Sequence, residues 1–279
     1  MSQKSYDGSP TVYLIPTPIG NMEDITLRAL NILKTVDVIF SEDTRVTSIL
    51  LKHYQIEKKL ISSHQYNEFK NATKLLSYLE QGKMVGIVSD RGTPVISDPG
   101  YELARVAIEN GYHVVGLPGP TALIPALITS GLAPNPFLFY GFLNSKDSKR
   151  RKELESLKNI PATLIFYEAP HRLSKTLQDM IKILGNRRVS ISREISKKYE
   201  EIYRETLENI SGQVVDIKGE IVIIVEGNFQ GETHDNLTII EHINFFLKEG
   251  MSVKDAIKQV AHERGLPKNE VYQEYHRGD

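Results

Sequence analysis

Apolar and polar positions along this chain follow two rhythms. Short, largely apolar runs at residues 11–15, 36–40, 84–88 and 112–115 carry the signature of strands buried on both faces. Between them, apolar residues recur at helical spacing. Ile25, Ala29, Ile32, Leu33 and Val36 follow Asp24 as the expected N-cap; a weaker pattern runs to His53; Phe69, Ala72, Leu76 and Leu79 close at Gly82; Leu103, Ala104, Ala107 and Ile108 form the next stripe. Strand and helix in alternation predict a mainly parallel sheet with helices on both faces.

The rhythm changes at Pro118-Gly119-Pro120, where a domain boundary is expected. A short apolar helix over residues 122–128 comes next, then strands at 137–142, 162–167, 189–192, 201–207 and 221–225, with helices only at 149–157 and up to Leu184. More strands per helix predict a mixed or largely antiparallel second sheet. Beyond Gly231, two amphipathic patterns, Ile239 to Leu247 and Val253 to Ala261, and a third short segment over 268–276 predict a helical extension. The expected organisation is 1–118, 119–230 and 231–279, within the α/β class.

Shaped loops follow several strands. The most pronounced is Ser89-Asp90-Arg91-Gly92-Thr93-Pro94-Val95-Ile96-Ser97-Asp98-Pro99-Gly100, whose glycines and prolines can continue neither strand nor helix. Pro16-Thr17-Pro18-Ile19-Gly20-Asn21 is a second. At the carboxyl ends of parallel strands such loops form ligand crevices. For Asp90 and Asp98, capping of the loop backbone and contact with a ligand are both open.

Composition narrows the chemistry. The absence of cysteine among 279 residues excludes disulfides, thiolate metal sites and a cysteine nucleophile. No phosphate-loop, dinucleotide or zinc-protease motif is present, and no metal is expected. Net charge is −1, so contact with nucleic acid requires a local patch. Lys146, Lys149, Arg150, Arg151 and Lys152 supply one, equally readable as a solvated helix face. No apolar run has membrane-spanning length and residues 1–10 are polar, so a cytoplasmic protein is expected. A helix, a Gly-containing turn and a short helix near the end offer a weak helix-turn-helix signal, the basis of a competing DNA-binding reading.

Six motifs in order give a more specific answer: Tyr13 to Asn21, Ser41-Glu42-Asp43-Thr44-Arg45, the loop at 89–100, Pro118-Gly119-Pro120-Thr121-Ala122, Phe139-Tyr140-Gly141-Phe142, and Glu168-Ala169-Pro170-His171-Arg172. Together they resemble the ribosomal RNA small-subunit methyltransferase I family, a branch of the tetrapyrrole methylases. The resemblance implies two α/β domains with S-adenosylmethionine in the cleft between them, a homodimer, and 2′-O-methylation of a cytidine ribose in small-subunit (16S) ribosomal RNA near the decoding centre. A tetrapyrrole methyltransferase is the alternative within the same superfamily. By position, the cofactor-facing residues would be Pro16, Gly20, Ser89, Asp90, Gly92, Thr93, Pro94, Thr121, Ala122, Tyr140, Gly141, Glu226 and Gly227. Where the family usually has a small residue, this chain has Arg91, expected to turn outward toward RNA. A ribose hydroxyl is a weak acid, so a proton acceptor or an oxyanion-stabilising group is required. Glu42, Asp43 and Arg45 are the candidates taken forward, with Glu168 as a further acceptor; Glu42 and Asp43 also suit the start of the following helix. Lys149, Arg150, Arg151, His171 and Arg172, with Arg91, are the candidate RNA contacts.

Overall fold

The computed structural model describes residues 3–5, 7–64, 67–214, 217–229, 237–248 and 250–277. The chain forms two compact units, Met1–Gly227 and Asn228–Asp279. The boundary expected at 118 falls inside the first of these, and the one expected at 230 lies outside the described residues.

Five strands build the first sheet: β1 (Thr11–Leu14), β2 (Val38–Ser41), β3 (Lys59–Ser62), β4 (Val85–Val88) and β5 (His113–Gly116), in the order β3-β2-β4-β1-β5, every neighbouring pair parallel. Alternate side chains enter opposite cores, as strand geometry requires. Val12, Val38 and Phe40 join Leu75, Leu79 and Leu103 on one face; Tyr13, Ile15 and Ile39 join Ala29, Leu33 and Leu51 on the other. The covering helices are α1 (Leu27–Thr35), α2 (Thr44–His53), α3 (Glu68–Glu80) and α4 (Tyr101–Glu109). Thr26, not Asp24, caps α1, its hydroxyl accepting from Ala29 N at 3.0 Å, while Asp24 ends a short 3-10 turn. The sequence pattern passes over β3, whose residues are mostly exposed or half-buried and so leave no apolar run.

After α5 (Leu123–Thr129) the second sheet contains β6 (Phe137–Phe142), β7 (Thr163–Glu168), β8 (Arg188–Arg193), β9 (Glu201–Thr206) and β10 (Ile221–Val225), in the order β6-β7-β10-β8-β9. Only β6 and β7 pair in parallel; β10 runs antiparallel to both of its neighbours. The sheet is therefore mixed. One face packs on α6 (Asp147–Leu157), α7 (Pro170–Leu184) and α8 (Leu207–Gln213) through Leu154, Phe166, Leu177, Met180 and Ile210. The other receives α5 through Ala126 and Leu127. Leu207, expected to finish the strand over 201–207, instead opens α8, which Thr206 caps.

The second unit contains α9 (Ile239–Lys248), α10 (Val253–Glu263) and α11 (Lys268–His276), closed around Ile243, Phe246, Ile257, Val260 and Val271. Among the described residues no helix is long and apolar enough to cross a membrane.

Candidate functional site

All five strands of the first sheet point the same way, so the loops after β1 and β4 emerge side by side. They are stitched together by a two-residue bridge: Thr17 N donates to Gly92 O at 2.9 Å and Gly92 N returns to Thr17 O at 3.0 Å. Gly92 sits at φ +79, a conformation disfavoured for residues with a Cβ. Gly119 is required for a different reason. A Cβ there would lie 2.5 Å from Pro16 Cβ, so its bare backbone lets the loop after β5 close on the loop after β1. Thr93 Oγ1 donates to Pro120 O at 3.0 Å and completes the seam. A buried carboxylate secures the far end of the 89–100 loop: Glu68 Oε1 accepts from Gly100 N at 2.6 Å and Glu102 N at 3.2 Å.

Against these loops lie the carboxyl ends of β6 and β7 and, because β10 runs the other way, its amino end. Between them is a cavity of about 370 Å³, large enough for a nucleoside-sized ligand. Ile19, Ile96, Ile195 and Phe142 give it apolar walls; Thr93, Thr121, Ala122, Asp98 and Tyr167 supply polar groups and accessible backbone, and the bridged Gly92 closes one side. A second cavity of about 370 Å³ adjoins the bridge on the α2 side, lined by Gly20, Val46, Ile49, Ser89 and Asp90. Arg91 lines both cavities, and its guanidinium is ion-paired with Glu220.

The electrostatics are acidic beneath this surface. Asp98 is pushed up to about 7, chiefly by burial, then by the nearby charges of Glu42 and Asp90. Burial also raises Glu42 and Asp90. Asp43 moves the other way, to about 2, because Arg45 hydrogen-bonds its carboxylate.

Comparison with known proteins decides the family. Residues 11–211 match the model of the Tetrapyrrole (Corrin/Porphyrin) Methylases. The chain is 45% identical over 285 residues to the ribosomal RNA small subunit methyltransferase I of Bacillus subtilis strain 168, covering 98% of each chain. It is 47% identical over 288 residues to the protein of the same name from Halalkalibacterium halodurans, covering 99% of each. The chain belongs to the ribosomal RNA small subunit methyltransferase I family.

Solved tetrapyrrole methylases share the fold of this family member. A uroporphyrin-III C-methyltransferase from Thermus thermophilus, complexed with S-adenyl homocysteine, matches with a TM-score of 0.56 at 20% identity, over 77% of this chain and 97% of that one. The methyltransferase CobJ matches with a TM-score of 0.60 at 18% identity, over 78% and 95%.

In this chain the expected site residues separate into groups. Gly92, Thr93, Thr121 and Ala122 line the first cavity; Gly20, Ser89 and Asp90 line the second. Pro16 and Pro94 are buried and shape the loops from behind. Gly141 (φ +84) abuts the 89–100 loop, where a Cβ would lie 3.1 Å from Ser97 Oγ, but Tyr140 turns into the core beside Phe166. Glu226 and Gly227 require correction. They follow the carboxyl end of the antiparallel β10, one strand length from the cavity; the segment that reaches it is Gly219, Glu220, Ile221 and Val222.

The polar candidates also sort by geometry. Asp43 caps α2, accepting from Arg45 N at 2.8 Å, and Arg45 pairs with it in solvent, so neither lines a cavity. Glu42 faces the buried acidic group instead. Glu168 lines the cavity wall, but its oxygens accept from Ala169 N at 2.8 Å and Thr176 Oγ1 at 2.6 Å. Arg172 donates to Leu143 O at 2.7 Å and fixes the turn after β6. Arg150 is corrected from RNA contact to internal anchor: its side chain is 3% exposed and paired at 2.7 Å with Asp179, itself 5% exposed. Arg151 reaches the same Asp179 from the surface, while Lys149 and His171 are exposed. Tyr167, Ile221 and Val222 escaped the sequence reading because their only signal is apolar strand content, which core residues share, and Ile195, Gly219 and Glu220 because they lie in turns with no motif of their own.

Proposed function

We propose that the chain methylates the 2′-oxygen of a cytidine ribose in small-subunit ribosomal RNA, near the decoding centre, using S-adenosylmethionine, as a cytoplasmic homodimer. The observation that carries this reading is the lining of the first cavity. Apolar walls of Ile19, Ile96 and Ile195 suit a nucleoside and a thioether chain, half-buried backbone at Thr121 and Ala122 suits polar edges, and the carboxylate of Asp98 suits a cation. These groups fit the cofactor, which when bound supplies an electrophilic methyl on a positively charged sulfur. Gly92, Thr93, Thr121, Ala122 and the 219–222 segment would hold it. The strand-end loops then have to hold the ribose oxygen about 3–3.5 Å from the methyl carbon.

Names of the near-full-length relatives favour ribosomal RNA over a tetrapyrrole or DNA as substrate. The exposed side chains of Lys149, Arg151 and His171 form the phosphate-facing set in this reading. Small subunits from a strain lacking the enzyme, incubated with labelled cofactor, provide the test. The expected product carries label on RNA and resists alkaline cleavage at one linkage 3′ to a cytidine, because that cleavage needs a free 2′-hydroxyl. Label on a base, or none on RNA, would contradict the reading.

A further inference from the structure

We infer that Asp98 is the group that accepts the proton from the substrate hydroxyl, a role that rests on the methyl-transfer reading above. The three carboxylates lining the first cavity are Asp98, Glu168 and Glu220. Glu168 is held by Ala169 N and Thr176 Oγ1, and Glu220 is paired with Arg91 and, at 2.8 Å, with Lys197. Among the described residues no ion pair and no main-chain N–H holds Asp98; the Ser89 hydroxyl beside it favours its ionised form. The two aspartates of the loop thus have different roles. Asp90 caps, accepting from Asp43 N at 2.9 Å, whereas Asp98 is presented to the cavity with its basic lone pairs available.

The backbone around Asp98 supports a functional placement. Val95 lies at φ +79 and Ser97 at φ +63, conformations disfavoured in residues with a Cβ. Anchors at both ends over-determine the loop: the Thr17–Gly92 bridge at one and the Glu68–Gly100 hydrogen bond at the other. A surface loop without a positioning task has no need of such strain.

The groups facing Asp98 are Glu42 from the β2–α2 connection, Asp90 and Arg91 from its own loop, Tyr167 and Glu168 from β7, and Glu220 ahead of β10. Arg91 is engaged by Glu220, so the balance around Asp98 is acidic, and desolvation together with like charge makes it a stronger base than an ordinary carboxylate. In the reaction Asp98 gains the hydroxyl proton, the oxygen gains the methyl carbon, and the carbon–sulfur bond gives its electron pair to sulfur. The proton then leaves Asp98 to solvent.

The test uses the full chain with small subunits, scanning kcat/KM against pH. Wild type should rise to a plateau with an apparent pKa of about 7. D98N should lose this limb and fall about 10²–10⁴-fold in kcat, while D98E keeps the limb. S89A should move the limb upward, since the Ser89 hydroxyl favours the ionised form. D98N should still bind S-adenosylhomocysteine within about fivefold of wild type. Binding of S-adenosylmethionine to wild type at pH 7 should release protons, read by calorimetry in buffers of different ionisation enthalpy, and D98N should release none. A D98N enzyme within about tenfold of wild type with the limb intact overturns the inference. So does loss of S-adenosylhomocysteine affinity by more than about 100-fold, which would make Asp98 a cofactor ligand. If wild type leaves small subunits unmethylated yet shows the Asp98-dependent proton release, the substrate reading fails while the placement of Asp98 as the titrating group beside the methyl donor is supported.

Discussion

The two sheets present their strand ends to the same cavity by different rules. In the first, every strand is parallel, so each loop after a strand arrives on one edge, and Pro/Gly-rich sequence directly following an apolar run marks the site. In the second, β10 is reversed between β7 and β8, so the cavity receives Gly219–Val222 from its start while Glu226 and Gly227 are carried to the opposite edge. A motif at a strand's carboxyl end is therefore informative only once the strand's direction is known. Cations differ in the same way. In the first half Arg45 and Arg91 are exposed, whereas in the second Arg150 and Arg172 bind the fold's own carboxylate and carbonyls.

The strongest way to break this contrast is Arg150. R150A leaves Asp179 buried without its main partner and should cost about 3–5 kcal/mol in denaturant unfolding. In the protein that remains folded, the salt dependence of RNA binding should be unchanged; a slope lowered by one phosphate contact would return Arg150 to the RNA surface.

Two glycines sharpen the comparison at the level of backbone. A Cβ at Gly119 would meet Pro16 at 2.5 Å, and one at Gly227 would meet Ala162 O at 2.3 Å. Both alanine variants should lose about 1–3 kcal/mol of stability. Only G119A, at the cavity seam, should also weaken S-adenosylhomocysteine binding in the folded protein, and equal losses of affinity in the two would erase the distinction.

Asp98 offers a pH test without turnover. Its pKa is raised from an ordinary 3.8 to about 7, so the folded state holds a proton that the unfolded state releases, and stability falls as pH rises through that window. D98N should therefore melt about 2–4 °C above wild type at pH 8 and show no gain at pH 3. A pH-independent difference would mean that Asp98 is not titrating in this range.

The smallest contrast is between two glutamates of the β10 region. E220A removes the pairing of Arg91 across the cavity and should change cofactor affinity by up to about fivefold, as exposed pairs do. E226A, at the other edge, should leave affinity unchanged.

Four of the five strands of the first sheet and the loops after them were legible in the sequence, because parallel strands leave continuous apolar runs and their loops need glycine and proline; the exposed β3 was not. The second sheet's strands were legible too, but their directions were not, since one residue pattern serves either orientation; nothing in the residues therefore opposed the placement of Glu226 and Gly227 in the site that the family resemblance implied. Glu68 was hidden within a helical stripe, although it holds the end of the loop at Gly100. Asp98 was visible as a loop aspartate, but only the geometry separates it from Asp90, which caps a neighbouring backbone amide.

Calorimetric titration of the full chain with S-adenosylhomocysteine tests most directly that the cavity between the strand ends holds the cofactor. Saturable binding at one site per chain, weakened by G119A and unaffected by E226A, is the predicted result. No detectable heat at millimolar ligand, or binding that ignores G119A, would contradict it.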